Sequence, residues 1–379
     1  MKKNVASRIM LTLLLMGMLT LECHVQLVEA ADAWPMFHHD SSRSGYSTST
    51  APNTNNTIWN SQTGGGVFSS PAVVDDRIFV ASWDGKVYCL NATTGIHIWN
   101  YTTGNWVWSS PAVAYGLVYM GARDNNFYAF NATTGTKVWN YTTGGWVDSS
   151  PAIADGKVYV GSDDSKVYCL DALTGAHLWN YTTGGGLHTP TVVEGRVYVG
   201  SRDHKVYAIN ATTGEHIWNY TTGGMIESCP AVADGLVFVS SQDRKVYSLN
   251  ATIGTKVWNY TTGGGVCSSP AVAHGRVYVG SNDYNIYCLN AETGLYVWSY
   301  TTGSNVTSSP AVADGKVYVG SLDNKVYAFG PSSPPVGGIY IPVNKLELLA
   351  PYIGLTILLA VAVVSVVYVK KRKRHTETS

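Results

Sequence analysis

Seven tryptophans recur along this chain at intervals of 40 residues, with a single interval of 39. Seven prolines keep the same intervals, so one unit is copied seven times. A period near 40 with four short β-runs in each copy is typical of the blades of a β-propeller. The two series are Trp59, Trp99, Trp139, Trp179, Trp218, Trp258 and Trp298, and Pro71, Pro111, Pro151, Pro190, Pro230, Pro270 and Pro310.

One copy, residues 107–144, shows the pattern within the unit. It reads as four runs, VWSSPAVAYG, LVYMGARDN, NFYAFNATTG and TKVWNYTTG. Each run is rich in Val, Tyr or Trp and is bounded by Gly, Asn or Asp, which favours antiparallel strands over helices. We name these strands A to D from the central channel outward. The predicted fold is all-β, a seven-bladed β-propeller with four-stranded antiparallel blades.

The ends of the repeat array complement each other. The last copy stops at Gly330 without a tryptophan strand, whereas the first tryptophan, in TIWN at residues 57–60, has no strands A to C before it. We therefore expect this N-terminal strand to complete the seventh blade. Closure of this kind pairs the edges that an open array would leave exposed.

The repeats carry a motif that resembles a known family. CLNATTGIHIW at residues 89–99, AFNATTGTKVW at 129–139 and CLDALTGAHLW at 169–179 share Asn or Asp, Ala, Thr-Gly and Trp, and a later copy has Ile253 in place of the Thr. This resembles the tryptophan-docking motif of pyrroloquinoline-quinone-like (PQQ-like) propeller repeats, found in quinoprotein alcohol dehydrogenases and in non-enzymatic relatives such as BamB. The leader AWPMFHHDSSRSGYS at residues 33–47 is similar to the segment that often precedes such propellers.

The repeated residues are interpreted as structural. Each tryptophan can lie across the Thr-Gly turn of the neighbouring blade, where glycine leaves room for the ring. The docking glycines are Gly95, Gly135, Gly175, Gly214, Gly254 and Gly294. An aspartate also recurs in the B to C turn, where turn hydrogen bonding is preferred to calcium binding. The aspartates are Asp84, Asp124, Asp164, Asp203, Asp243, Asp283 and Asp323.

Six cysteines are present, and the sequence offers no metal or haem motif for them. Cys89, Cys169 and Cys288 replace Ala or Ser at one strand C position and are expected to be small buried residues. Cys229 and Cys267 lie on the inner strands of adjacent blades, so a disulfide between them stays open, since register and distance decide it.

The two ends of the chain predict its location. Lys2, Lys3 and Arg8 precede an apolar run, so residues 1–30 are interpreted as a signal peptide followed by a leader at 31–56 and the propeller at 57–330. A Pro/Gly linker is expected at 331–347. Residues 348–369 lack charge and precede KKRKRH, which predicts a transmembrane helix and a cytoplasmic tail at 370–379. We therefore expect a single-pass cell-membrane protein with the propeller outside.

Charge argues against nucleic acid as a partner. Of 25 basic and 25 acidic residues, eight basic and three acidic ones lie in residues 1–30 and 370–379, which leaves 17 and 22. The net charge between the ends is therefore −5, which provides no general attraction for nucleic acid or anionic lipid.

Eleven Asn-x-Thr sequons suit an exported glycoprotein. The alternative is that Asn serves as a turn residue and Thr as a strand residue, and that repetition multiplies the match. We also hypothesise that glycans on strand D shield the blade edges from association. The candidates are Asn55, Asn91, Asn100, Asn131, Asn140, Asn180, Asn210, Asn219, Asn250, Asn259 and Asn305.

Residues that break the repeat collect on one face, which the D to A loops and B to C turns form. Tryptophans, arginines and acids there predict a recognition surface, with drift among exposed loop tips as the alternative. The candidate binding residues are Phe68, Trp83, Trp106, Trp108, Arg123, Trp146, Asp148, His188, Arg202, His204, Glu227, Arg244 and Tyr284; Asp163, Gln242, Cys267 and Asn282 occupy equivalent positions.

Three functions are compatible with this pattern. The favoured one is a non-catalytic, membrane-anchored propeller that binds an extracellular protein, glycan or envelope component, with no cofactor. A structural or adhesive envelope protein is the alternative. A PQQ-dependent oxidoreductase, which the resemblance suggests, is disfavoured because the loops between strands are too short to carry calcium ligands and cofactor-clamping residues.

Overall fold

A computed structural model describes residues 36–37, 40, 46–47, 57–313 and 315–330. These residues form seven four-stranded sheets and contain no helix, which confirms the all-β propeller. The segments predicted at 1–30, 331–347, 348–369 and 370–379 lie outside the described residues, as does most of 31–56. Within the ranges described, no helix is long and apolar enough to cross a membrane.

Strands A and B alternate along the chain and form the inner half of each blade. The A strands are β2 (Ala72–Val74), β6 (Ala112–Ala114), β10 (Ala152–Ala154), β14 (Thr191–Val193), β18 (Ala231–Ala233), β22 (Ala271–Ala273) and β26 (Ala311–Ala313). The B strands are β3 (Arg77–Ala81), β7 (Leu117–Gly121), β11 (Lys157–Gly161), β15 (Arg196–Gly200), β19 (Leu236–Ser241), β23 (Arg276–Gly280) and β27 (Lys316–Ser321).

Strands C and D form the outer half. The C strands are β4 (Lys86–Asn91), β8 (Asn126–Asn131), β12 (Lys166–Asp171), β16 (Lys205–Asn210), β20 (Lys245–Asn250), β24 (Asn285–Asn290) and β28 (Lys325–Phe329). The D strands are β5 (His97–Thr102), β9 (Lys137–Thr142), β13 (His177–Thr182), β17 (His216–Thr221), β21 (Lys256–Thr261) and β25 (Tyr296–Thr301).

The turns explain why each run of residues folds back on itself. In the second blade, Tyr115 and Gly116 join strands A and B with φ values of 53° and 72°, as a type I′ hairpin requires. Strand D carries a β-bulge: Ala129 pairs with Trp139 and Phe130 pairs with Lys137, so Val138 is the extra residue. Bulges in six outer strands protect these edges from pairing with other chains.

Closure of the ring by the N-terminal part of the chain is confirmed, but the strand differs from the one expected. The strand that joins the seventh sheet is β1 (Tyr46–Ser47), which pairs in parallel with β26 at the inner edge. Residues 57–60 form no strand and do not pair with β28. Trp59 nevertheless donates from Nε1 to the carbonyl oxygen of Ala92 in the first blade at 2.9 Å.

The same docking contact joins each of the next blades. The indole of Trp99 donates to Ala132 O at 3.0 Å, and a Cβ added to Gly135 would lie 2.5 Å from the Trp99 ring. Glycine is required there because φ is +72° as well as because the ring is close. Six tryptophans dock in this way, onto Gly95, Gly135, Gly175, Gly214, Gly254 and Gly294. Trp298 instead packs against Tyr278 and Phe329.

Most of the core lies between adjacent blades. Tyr119, Trp139 and Val160 are buried in one such layer, and Met36 of the N-terminal segment packs into the same cluster. Cys89, Cys169 and Cys288 are buried as expected, and burial raises the pKa of the Cys169 thiol to about 12.

Cys229 and Cys267 are not joined by a disulfide. The Cys229 thiol lies 3.3 Å from Thr191 Oγ1, whereas Cys267 Sγ accepts a hydrogen bond from Gln242 Nε2 at 2.9 Å. The two sulfur atoms therefore have separate surroundings.

Candidate functional site

Three positions in every blade build the face that the sequence singles out. The rim position and the inner position lie in the D to A loop, and the turn position opens the B to C turn. The rim residues are Gly66, Trp106, Trp146, Gly186, Met225, Gly265 and Asn305; the inner residues are Phe68, Trp108, Asp148, His188, Glu227, Cys267 and Thr307; the turn residues are Trp83, Arg123, Asp163, Arg202, Gln242, Asn282 and Leu322. We call these residues together the mouth.

Backbone hydrogen bonds fix the rim and turn positions together. The turn residue donates its N–H to the carbonyl oxygen of the rim residue at 2.9–3.0 Å in all seven blades, as in the bond from Arg123 to Trp106. Because this scaffold repeats, differences between blades at the mouth lie in the side chains.

The repeated aspartate holds the same loops in place. In the third blade, Asp164 Oδ1 accepts from the N–H of Lys166 at 3.0 Å, and Oδ2 accepts from the N–H of Gly144 at 2.8 Å and the Tyr168 hydroxyl at 2.6 Å. The carboxylate thus ties the turn, strand C and the preceding D to A loop together, in agreement with turn hydrogen bonding. The tyrosine partner was missed in the sequence, although a Tyr stands four residues after each of these aspartates.

An aromatic cluster occupies the mouth in blades one to three. Phe68 stacks on Trp83 with ring centroids 4.4 Å apart and planes inclined by 12°, and it also stacks on Trp108 at 5.4 Å. The ring centroids of Trp106 and Trp83 lie 6.0 Å apart. Phe68, Trp106 and Trp146 are 64%, 49% and 47% exposed, so large aromatic surfaces face solvent.

Arg123 joins this cluster to an acid. Its guanidinium carbon lies 3.9 Å from the Trp108 ring centroid and 4.7 Å from that of Trp146. Its Nε and Nη2 donate to the Asp148 carboxylate at 3.0 and 2.8 Å. The hydrogen bond to Asp148 raises the pKa of Arg123 despite partial burial. The planar cation is thus held against two rings with its charge paired.

The mouth continues as a polar network in blades three to six. Arg202 pairs with Asp163 at 3.3 Å and lies 3.9 Å from Glu227. Gln242 donates from Nε2 to Glu227 Oε2 at 2.8 Å, and the same nitrogen lies 2.9 Å from Cys267 Sγ. The charged side chains of this network therefore form ion pairs and hydrogen bonds within the mouth.

Several polar atoms at the mouth are buried without a hydrogen-bond partner among the described residues. They are Trp83 Nε1, Trp108 Nε1, His188 Nε2 and Asn282 Oδ1. Burial, assisted by the charge of Arg202, lowers the pKa of His188 to about 4, so the imidazole is neutral at pH 7. Each unpaired buried polar group costs about 1–3 kcal/mol of stability relative to a paired one.

Three predicted face residues lie apart from this cluster. His204, Arg244 and Tyr284 are exposed at the third position of their B to C turns, with φ of 71°, 69° and 73°. No hydrogen bond or ring contact among the described residues joins them to the aromatic cluster or the polar network. The other predicted face residues belong to the mouth.

Nine of the eleven sequons fall into two structural classes, whereas Asn305 is half-buried in a D to A loop and belongs to neither. Asn100, Asn140, Asn180, Asn219 and Asn259 are exposed on D strands, whereas the Asn-Ala-Thr asparagines are half-buried in C to D turns. Asn210 Oδ1, for example, accepts from the N–H groups of Thr212 and Thr213 at 2.8 and 2.9 Å. The side chains of the Asn-Ala-Thr asparagines therefore stabilise the C to D turns. Asn55 lies outside the described residues.

Comparison with solved structures identifies proteins of similar fold. BamB from Moraxella catarrhalis is 21% identical with a TM-score of 0.64, covering 72% of this chain and 87% of that one. A europium-containing methanol dehydrogenase is 15% identical with a TM-score of 0.68, covering 81% and 86%. The computationally designed Ika8 protein is 15% identical with a TM-score of 0.53, covering 71% and 97%. At these identities the likeness shows the fold alone.

Sequence comparison assigns the family. No curated protein matches this chain significantly. The family model described as outer membrane protein assembly factor BamB matches residues 44–186, 143–230, 183–268 and 261–333, which together span more than half of the chain. The chain therefore belongs to this family of PQQ-like β-propeller repeat proteins.

Proposed function

We propose that this protein is a non-catalytic binding propeller, anchored in the cell membrane, that captures an extracellular protein partner through its mouth. The observation that carries the proposal is the exposed aromatic cluster around Arg123 in blades one to three. Tryptophan and arginine are enriched among the residues that dominate binding energy at protein interfaces. The fold shared with BamB supports a protein-interaction module in general.

The cluster is suited to binding because it is rigid before a partner arrives. Arg123 is held by two rings and by Asp148, and its side chain is only 15% exposed. Phe68, Trp83 and Trp108 stack on one another. Side chains that are already ordered lose less entropy on association, which raises affinity.

The side chains available at the mouth do not suit the binding of PQQ and its calcium ion. A calcium-bound quinone needs carboxylates free to coordinate the ion, but Asp148, Asp163 and Glu227 already bond to Arg123, Arg202 and Gln242. Among the described residues, no three His, Cys, Asp or Glu side chains are grouped to hold a metal. The loops that would add further ligands contain only a few residues. The residues present therefore do not fit the cofactor.

The location in this proposal rests on the sequence. The apolar run at 348–369 with its basic flank supports a membrane anchor, and the N-terminal run and the sequons support export and glycosylation. The described chain ends at Gly330 after β28, which runs away from the B to C turn. Gly330 therefore lies on the face opposite the mouth.

Capture of partners by variants of the full chain tests this function. Trp108→Ala and Arg123→Ala remove the centre of the cluster, and Cys267→Ala and Asn282→Ala change the same inner and turn positions in the sixth blade. We expect envelope proteins bound by the wild type to be lost with the first pair and kept with the second. Equal capture by all variants would instead support passive scaffolding.

A further inference from the structure

A relay of hydrogen bonds runs around the inner wall of the propeller. In five of the seven blades, the residue before the repeat proline donates its backbone N–H to the hydroxyl of the equivalent residue in the next blade. Ser70 donates to Ser110 at 2.9 Å, Ser110 to Ser150 at 3.0 Å, and Ser150 to Thr189 at 3.0 Å. A second arc runs from Cys229 through Ser269 to Ser309, at 2.9 and 3.0 Å.

The relay is open between the seventh blade and the first. No hydrogen bond joins Ser309 to Ser70, although the structure describes both residues. Both are half-buried, whereas Ser110, Ser150 and Ser269 are buried. The N–H of Ser309 and the hydroxyl of Ser70 therefore lack the relay bond that five other blade junctions have; the relay is also interrupted between the fourth and fifth blades, where Cys229 has no hydroxyl.

A cavity of about 750 Å³ lies at this opening. Its apolar walls are formed by Phe68, Pro71, Val73, Pro310 and Ala311, with Phe37 of the N-terminal segment. Thr307, the inner mouth residue of the seventh blade, also lines it. Because Phe68 belongs to the aromatic cluster as well, the cavity opens beside that cluster. Its volume is in the range of sites that enclose a small ligand or a large side chain.

We propose that this cavity receives an apolar side chain of an extended polypeptide partner, whose peptide group bonds to the Ser309 N–H and the Ser70 hydroxyl. This inference rests on the proposed function, since the partner would also contact the aromatic cluster through Phe68. One backbone donor and one hydroxyl between apolar walls match a peptide carbonyl and N–H. A sugar in this cavity would have its hydroxyl groups buried against Phe, Pro, Val and Ala side chains. Those hydroxyl groups would lack hydrogen-bond partners, so binding of a sugar is unfavourable.

Blocked pentapeptides, acetyl-Gly-Ser-X-Ser-Gly-amide with X as Ala, Leu or Lys, test the inference on the full chain in lipid nanodiscs. Binding is measured by calorimetry, with empty nanodiscs subtracted. We expect the Leu peptide to bind at least about tenfold more tightly than the Ala peptide, because three more carbon atoms are buried. Thr307→Trp should fill the cavity and abolish this preference. Leu173→Trp, at an exposed C to D turn on the face opposite the mouth, should leave it unchanged.

Equal affinity for the Leu and Ala peptides would overturn the inference, and so would a preference for the Leu peptide that survives Thr307→Trp. Peptide binding that appears only after Phe37→Ala would also overturn it, because Phe37 would then be the side chain that occupies the cavity. Tighter binding of maltohexaose, lost in Thr307→Trp, would replace the peptide by a glycan. If Thr307→Trp leaves partner capture intact, this inference fails and the proposed function stands. If Trp108→Ala and Arg123→Ala leave capture intact, the proposed function fails.

Discussion

Arg123 lies with its guanidinium carbon 3.9 Å from the ring centroid of Trp108, although the two residues come from different loops of the second blade. The same guanidinium is bonded to Asp148 of the third blade. One side chain therefore links an aromatic surface, an ion pair and two blades, and this explains why the cluster is ordered.

Removal of Arg123 should destabilise the propeller modestly. Arg123→Ala leaves Asp148 without its partner and Trp108 without its cation, so we expect the free energy of unfolding to fall by about 2 kcal/mol. Arg123→Lys should recover little of this, because an ammonium cannot form the bidentate pair or stack as a plane. Urea denaturation followed by circular dichroism measures both, and a loss below about 0.5 kcal/mol for Arg123→Ala would contradict the described contacts.

The docking glycines can be tested against glycines that differ only in their surroundings. Gly135 and Gly156 both have φ of +72°, but an added Cβ meets the Trp99 ring at 2.5 Å in the first and nothing within 4 Å in the second. Gly156→Ala should cost about 1 kcal/mol from backbone strain alone. Gly135→Ala should cost about 3 kcal/mol, because overpacking adds to that strain. Equal losses in thermal or urea unfolding would show that the tryptophan contact contributes nothing.

The aspartate and tyrosine pairs predict part of the response to acid. Burial raises the pKa of Asp283, but hydrogen bonds from Tyr287, Asn285 and Gly263 outweigh burial and hold it below its usual 3.8. Stability from this group is present above about pH 4 and is lost as pH falls through the lower folded-state pKa. Tyr287→Phe should therefore weaken the pH dependence of unfolding below pH 4. An unchanged slope relative to the wild type would show that the hydroxyl does not support the carboxylate.

His188 predicts a second pH effect at milder acidity. Its pKa of about 4 in the folded chain lies below the usual 6.5, chiefly because of burial. Between these values the unfolded chain binds a proton that the folded chain does not, so stability falls as pH drops from about 6.5 to 4. His188→Asn should reduce the difference between urea midpoints at pH 7 and pH 4.5. A difference equal to that of the wild type would contradict the buried, neutral state of His188.

The number of blades and their strands could be predicted because the repeat is long and regular. Every copy has to fold back with Gly-containing turns and dock its tryptophan on the next, so the interval between tryptophans counts the blades. The closing strand β1 could not be predicted, since two residues carry no strand pattern and their pairing is set by the space beside β26. The residues at 57–60 had the stronger strand pattern, yet the structure uses Trp59 for docking without pairing their backbone.

The candidate site could be predicted from the sequence only in part. The grouping of the non-repeating side chains on one face could be predicted, because the rest of that face is shared by all blades; that this face binds a partner stays a prediction. The arrangement around Arg123 depends on how three loops approach one another, which no local pattern encodes. The residues His204, Arg244 and Tyr284 break the repeat as the mouth residues do, but they stand at the exposed third position of their B to C turns, apart from the cluster. Phe37 became part of a cavity wall through the path of the N-terminal segment.

The central claim is that the seven tryptophans at the outer strands count blades, while the aromatic cluster at the mouth recognises a partner. Quantitative capture from envelope extracts by the full chain, compared between wild type, Trp108→Ala/Arg123→Ala and Cys267→Ala/Asn282→Ala at equal folded protein, tests it most directly. We expect at least about tenfold less captured partner with the first double variant, because truncating residues that dominate binding energy costs about 2 kcal/mol or more, and wild-type capture with the second. Wild-type capture by both double variants would contradict it.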